Sequence, residues 1–482
     1  MKALLVHPPN RHQVWAGVPQ QVNSRGSHMF PPLQVMHLSA YVKARSSHAC
    51  NVVDFRLDEP DETGMARRIA AAGPDLVGVT ANSHNLANVA AVVRAARQGA
   101  PQAKIVLGGP HVNAFPESAA SFPGVDAAVC GDGEKPLVAL LDALADEEAW
   151  SSIPGVWRVR DGVVEHSEVA EPIHDLDDLP LPDRDWAPRG VYFTPAMRER
   201  QATTIIGSRG CPFQCIYCSV PHRYRARSAA HIVNELEECS RRYGIREVHF
   251  VDDIFNITEQ RVIDIAEEIL RRDVRMKWGF KGGCRNVSSE MLAVARRAGL
   301  VRAHYGVETY TDEGLRALDK KLTIADVRRT FALTHEAGVL TIAYMIIGSP
   351  HEKKMAELLD ARRFIAELKP DYVVYSLFSP YPESPSFALG VERGLWPADV
   401  WERFMRNPTP DHDLPTTWTE HFTKHELVDA FKKVNFAFYA HPRTLVRTLG
   451  RIRSWVELKR TVAGGMSLLK VWLMRAAGGR RI

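Results

Sequence analysis

Three cysteines crowd into eight residues of the stretch Gly210-Cys211-Pro212-Phe213-Gln214-Cys215-Ile216-Tyr217-Cys218. Thiolates are soft ligands, and three in one loop can reach three corners of an iron–sulfur cubane. A fourth cysteine is missing from the loop, which leaves one iron open to a ligand from outside the protein. The competing chemistry is a zinc knuckle, a Cys3His set completed by His222. The C-x3-C-x2-C spacing, with an aromatic before the last cysteine, favours the cluster. The other cysteines, Cys50, Cys130, Cys239 and Cys284, bring the total to seven. An odd number clustered in this way is not a secreted disulfide framework, and a reducing cytoplasm fits better. Cys239 falls in a helical pattern and Cys284 just beyond a strand, so both read as structural.

The elements that must hold this loop alternate between strand-like and helix-like runs. Candidate strands are Thr203–Ser208, Glu247–Asp253, Met276–Lys281, Arg302–Glu308, Leu340–Gly348 and Tyr372–Phe378. Six β/α units predict an incomplete barrel, since eight close a full one. The cysteine loop follows the first of these strands, at the C-terminal end where barrel sites form.

An earlier alternation occupies residues 1–145, with strands Ala3–Val6, Asn51–Phe55, Asp75–Val79, Lys104–Gly109 and Asp126–Gly131. Five such units predict a doubly wound parallel sheet, whose ligand crevice lies at the C-terminal strand ends. Four of those ends carry small or glycyl residues that let a ligand approach the backbone: the runs after Pro8, from Thr80 to Ser83, through Gly108, Gly109 and His111, and through Gly131, Gly133 and Glu134. The bland alternative is a generic phosphate site. The Pro- and Asp-rich stretch 146–200 reads as a linker with one hairpin, WRVRDGVVEH, turning at Asp161-Gly162. The division expected is therefore 1–145, a linker over 146–200, a barrel over 201–397 and a helical region over 398–482.

The cysteine spacing is the signature of the radical S-adenosylmethionine (SAM) superfamily, which the chain resembles from about Thr203 to Tyr381. The resemblance implies that SAM chelates the open iron of a 4Fe–4S cluster held by Cys211, Cys215 and Cys218. One electron from the reduced cluster then splits SAM into methionine and a 5′-deoxyadenosyl radical. It implies SAM contacts at Asp252 and Asp253 for the amino group, Arg285 for the carboxylate and Glu308 for a polar group. Gly348 belongs to a Gly-x-Pro turn near adenine. Barrel-rim salt bridges are the plain alternative for these positions.

Residues 1–145 resemble the cobalamin-binding domains that precede such barrels. The early Pro8-Pro9, the Gly-Gly-x-His run ending at His111 and the Gly-x-Gly-Glu run ending at Glu134 are the shared marks. The Asp-x-His-x-x-Gly motif that supplies a histidine to cobalt is absent, so cobalamin is expected without a histidine ligand. Methylthiotransferases share the layout but need three further cysteines in the first domain, which offers only Cys50 and Cys130. The resemblance implies a cobalamin-dependent radical SAM methyltransferase acting on an unactivated carbon of a small molecule, a tetrapyrrole or polycyclic lipid. It also implies an electron donor such as flavodoxin or ferredoxin. The alternative is a radical oxidative cyclase on the same cofactors, as in the anaerobic tetrapyrrole cyclase. A cobalamin sensor would not need the intact triad.

With 24% charged and 45% hydrophobic residues, the composition is that of an ordinary globular chain. No signal peptide or run of ~18 apolar residues is visible. The expected location is the cytoplasm, with no nucleic-acid partner. From His441 to Ile482 stand ten Lys or Arg against one acid, Glu457, a net +9 in a chain of +4, which puts the rest at −5. Leu445, Leu449, Ile452 and Val456 share one helical face there, and Arg443, Arg447 and Arg451 another. Such a helix can lie peripherally on the inner membrane face or pack on the barrel.

Overall fold

The computed structural model describes residues 1–14, 17, 29–188, 190–192, 197–409, 412–450, 452, 455, 458–459, 461–462 and 465–466. They form two compact units, one from Met1–Val14, Pro32–Ala187 and Trp396–Leu414, the other centred on Pro188–Leu395 and the chain beyond Pro415.

The first unit is built on five parallel strands: β1 (Lys2–His7), β2 (Ala49–Asp54), β3 (Leu76–Thr80), β4 (Lys104–Gly108) and β5 (Ala127–Val129). Their order is β2-β1-β3-β4-β5, so the winding reverses between β1 and β3. Helices cover such sheets on both faces, which explains the unbroken apolar run Ala3-Leu4-Leu5-Val6, buried throughout. The hairpin strands β6 (Val156–Arg160) and β7 (Val163–His166) join this sheet antiparallel to β5. Asp161 and Gly162 both have positive φ, 50° and 78°, the backbone of a type I′ turn. An isolated hairpin is marginal in water, and the open edge of β5 offers unpaired amides. The hairpin expected within the linker therefore extends the sheet. From the region expected to be a helical tail, the helix Val400–Arg406 also belongs to this unit.

The second unit holds six parallel strands in the order β15-β14-β13-β12-β11-β8, an open half-barrel as expected. They are β8 (Ala202–Ile205), β11 (Glu247–Phe250), β12 (Lys277–Gly283), β13 (Leu300–Glu308), β14 (Leu340–Ile347) and β15 (Tyr372–Leu377). A short ribbon of β9 (Ser208–Arg209) and β10 (Arg225–Ala226) stands apart. Its helices begin where the sequence supplies a cap: Ser228, Thr258, Ser288 and Thr323 each accept a backbone N–H from the first turn. Each cap contributes about 1 kcal/mol. The helix Lys424–Tyr439 packs Leu427, Phe431 and Val434 into the same core.

The next helix, Pro442–Gly450, buries only Thr444 and leaves Val446 and Leu449 exposed. Arg447 ties it down by donating to the carbonyls of Lys369, at 2.9 Å, and Pro370. Val456 and Arg451, expected on the two faces of this tail, lie outside the described residues. Among the described residues no helix is long and apolar enough to cross a membrane.

Candidate active site

The cysteine loop is closed at its base by the β9–β10 ribbon, which pairs Ser208 with Ala226 and Arg209 with Arg225. Gly210 opens the loop at φ +79°, and a Cβ there would stand 2.3 Å from the Arg223 carbonyl oxygen. Only glycine fits both the backbone and the space. Cys211 N–H donates to the Pro221 carbonyl and Cys218 N–H to that of Cys215, each at 3.0 Å. Cys215 is buried and the other two thiols are half-buried. Burial pushes all three thiol pKa values up; the Lys320 charge opposes this at Cys215.

Metal binding must displace those protons, and soft sulfur donors suit iron–sulfur chemistry. Among the described residues no three His, Cys, Asp or Glu converge as ligands of one ion do. His222 is exposed. A cubane takes each thiolate on its own iron and needs no such convergence. The donor set thus fits a cluster.

The strand ends around the loop hold a connected set of side chains. Lys320 donates to Glu308 Oε1 at 2.7 Å and to the Tyr217 hydroxyl at 3.0 Å. Glu308 ends β13 at φ +68°, a conformation that costs a non-glycine residue about 1 kcal/mol or more and tends to mark functional sites. The two acids just past β11 differ in their surroundings. Asp252 is buried, accepting from Gly207 N–H at 3.0 Å and the Ser208 hydroxyl at 2.5 Å, so it braces the turn into the loop. Asp253 is exposed and accepts from the backbone of Gly210. Arg285 lies over the Phe213 ring of the loop. Gly348, at φ +78°, begins a turn in which Ser349 N–H donates to Glu352 at 2.8 Å.

In the first unit, Pro8 and Thr80 flank the switch point between β1 and β3. Gly109, at φ +111°, packs so closely on Ala81 that a Cβ would stand 2.7 Å from its carbonyl oxygen. At Gly108 an added Cβ would meet only the Val129 oxygen, at 3.9 Å, which leaves that backbone approachable and fits a large cofactor. His111 is fully buried, with Nδ1 2.8 Å from Ser83 Oγ and Nε2 3.0 Å from Met405 Sδ. Burial, then the neighbouring His84, brings its pKa down to about 3, so the ring is neutral. Gly131 N–H donates to Asn113 at 2.8 Å, and Gly133 leads into the helix that starts at the buried Glu134.

Sequence reasoning missed Lys320, Tyr217 as its partner, and Asn256. Asn256 clamps the end of β12, accepting from Gly283 N–H and donating to its carbonyl, both at 2.9 Å. Lys320 lies in a helix-to-helix turn without a motif; its only signal is the doubled lysine with Lys321.

The B12 binding domain family matches residues 24–141, and the radical SAM superfamily matches residues 205–365. An uncharacterized methyltransferase of Pyrococcus horikoshii is 26% identical over 98% of this chain and 99% of its own length. An anaerobic magnesium-protoporphyrin IX monomethyl ester cyclase of Rubrivivax gelatinosus is 28% identical over 80% of this chain and 69% of its own. The structure of TsrM, a radical S-adenosylmethionine methyltransferase from Kitasatospora setae, superposes with a TM-score of 0.71 at 18% identity over 98% of both chains. The cofactors are those of the two matched domains: a 4Fe–4S cluster with SAM, and cobalamin. The chain is a radical SAM enzyme that carries a B12-binding domain ahead of its half-barrel.

Proposed function

We propose that this enzyme methylates an unactivated carbon of a small molecule. The observation that carries the reading is a three-thiol loop at the mouth of a half-barrel in a chain that also has a B12-binding domain. When bound, the reduced cluster supplies the electron that cleaves SAM, and cobalamin carries the methyl group. Cys211, Cys215 and Cys218 hold three irons. Asp253 takes the SAM amino group, with Asp252 holding the turn beneath it; Arg285 takes the carboxylate. Glu308 offers an oriented carboxylate, and the Gly348 turn approaches the adenine. In the first unit, Pro8, Thr80, Ser83, Gly108, Gly109, His111, Gly131, Gly133 and Glu134 shape the cobalamin site.

The cyclase relative supports a second reading, oxidative ring closure on the same cofactors. A flavodoxin- or ferredoxin-like electron donor serves either reaction. The exposed apolar side of Pro442–Gly450, in a basic tail, supports peripheral contact with anionic membrane.

The test is anaerobic turnover with SAM labelled in its methyl group, read by mass spectrometry, with replacement of all three loop cysteines by Ala as the control. Label in a product carbon supports methyl transfer; 5′-deoxyadenosine with an unlabelled, oxidised product favours cyclisation. Retention of four irons in the triple variant would sink the cluster assignment.

A further inference from the structure

The interior of the half-barrel holds a polar layer of which only Glu308 belongs to the proposed SAM site. Side chains alternate across a strand. Val248, Phe250, Trp278, Phe280, Ala303, Tyr305, Ala343 and Met345 occupy the apolar core. The intervening positions, on the opposite face, are Glu247 and His249 of β11, Lys281 of β12, Arg302, His304 and Glu308 of β13, and Tyr344 of β14. Barrel interiors are more often filled with branched apolar side chains.

The lower end of this face is closed. Glu247 takes Arg302 Nη1 and two backbone N–H groups, from Arg198 and Glu199, at 2.7 Å each. The next layer is not closed. The His249 and His304 rings lie 4.3 Å apart, and His304 Nδ1 is 3.0 Å from the Tyr344 hydroxyl. His249 Nδ1, His304 Nε2, Arg302 Nε and Arg302 Nη2 are buried without a hydrogen-bond partner. Both histidines are under one-tenth exposed. Burial holds both rings neutral, helped by the charges of Arg302 and Lys281. Lys281 is half-buried and enters no ion pair or side-chain hydrogen bond among the described residues. Its charge reaches both histidines and Asp253.

Native interiors leave few buried polar groups unpaired, because each costs about 1–3 kcal/mol. Arg302 Nε, Arg302 Nη2 and His304 Nε2, beside the Lys281 ammonium, call for an acceptor-rich group, whereas His249 gives its one N–H to the Gly279 backbone. The arginine nitrogens and the ammonium can only donate, and a neutral imidazole can donate from one nitrogen. We propose that the inner face of this half-barrel binds an anionic oxygen group of the substrate, a carboxylate or a phosphate, with Lys281 as counter-charge and Arg302, His304 and Tyr344 as its hydrogen-bonding frame. The substrate is then an acid and not a purely apolar lipid. This rests on the radical SAM reading only in taking the barrel interior as the substrate's place.

The test uses the full chain with its cluster reconstituted, titrated calorimetrically with inorganic phosphate and with acetate against chloride at equal ionic strength. One of the two anions binds the wild type. Lys281→Met weakens that binding about tenfold or more, the worth of a charge-assisted bond, and Lys281→Arg retains it. Binding by phosphate alone, or by acetate alone, identifies the source of the oxygen group. If Lys281→Met loses iron, Lys281→Gln and His304→Asn replace it, each accepted only with full iron content. No binding above chloride, or equal binding by wild type and variants, overturns the proposal and leaves ordered water as the filling of this layer. Production of 5′-deoxyadenosine from SAM by the same wild-type preparation tests the radical reading separately, so the two failures are distinguishable.

Discussion

The guanidinium of Arg285 lies 6.0 Å from the centre of the Phe213 ring. A residue just past β12 thus reaches the loop between the first two cysteines, and its planar cation is held beside that loop. A contact of this kind is worth about 0.5–1 kcal/mol at a partly exposed site, and a charge-assisted bond to a carboxylate adds more. Arg285→Ala is expected to weaken SAM binding about tenfold or more with iron content unchanged. Arg285→Lys recovers only part, since the ammonium keeps the charge and loses the plane. Equilibrium dialysis with SAM checks this; unchanged affinity in Arg285→Ala removes Arg285 from the SAM site.

Lys320 joins Glu308 to Tyr217, and both members of the ion pair are largely buried. Replacing Lys320 by Met strands the Glu308 carboxylate, a loss of about 3–5 kcal/mol for a buried pair broken on one side. Glu308→Gln costs less, because it removes the charge that needs a partner. Urea unfolding of the cluster-free variants orders them wild type, Glu308→Gln, Lys320→Met. Lys320→Met as stable as wild type would contradict the burial argument.

The parts of the fold that follow from periodicity were legible. All eleven predicted parallel strands are present: most read as apolar runs, as strands buried on both faces do, and β11 and β13 read as alternation. The cysteine loop was legible from spacing alone. What escaped depends on partners distant in sequence. The hairpin Val156–His166 was legible, but its pairing with β5 was not, because that edge gives no local sign. Lys320 meets Glu308 and Tyr217 only after β13 and the cysteine loop converge. The barrel's polar layer was hidden in Arg302-Ala303-His304-Tyr305, where alternating polar and core-facing residues look like any half-exposed strand. Met405 and Trp401 come back to the first unit from late in the chain, against His111 and His84.

Glu352 gives the turn after β14 a dependence on pH. Burial raises its pKa to about 7, partly offset by the backbone donors of Ser349 and Gly348. The unfolded value is near 4.3. The folded chain therefore holds the proton more tightly, and the resulting stability is full below about pH 4.3 and is lost as pH rises through 7. The loss amounts to about 4 kcal/mol. Glu352→Gln keeps an acceptor for Ser349 N–H and removes the titration. Between pH 5 and pH 8 the wild type should lose more stability in urea than the variant does. Equal losses would mean that Glu352 is ionised in the fold.

The tail beyond Ala440 tests membrane contact. Val446 is 71% exposed, Leu449 62% and Trp455 77%, so none of them is covered by the half-barrel. The segment His441–Ile482 has a net charge of +9. Each Lys or Arg near an anionic bilayer contributes about 1 kcal/mol, screened by salt, and the apolar side chains add to it. The full chain is expected to co-sediment with anionic vesicles at low salt and to leave them at high salt, and to ignore neutral vesicles. A chain ending at Ala440 should lose this affinity and keep its iron. Arg447 binds two carbonyls ahead of β15, so the truncation also removes a brace. Unfolding or iron loss on truncation would make the tail a structural cap, and a full chain that stays free of anionic vesicles at low salt would end the membrane reading.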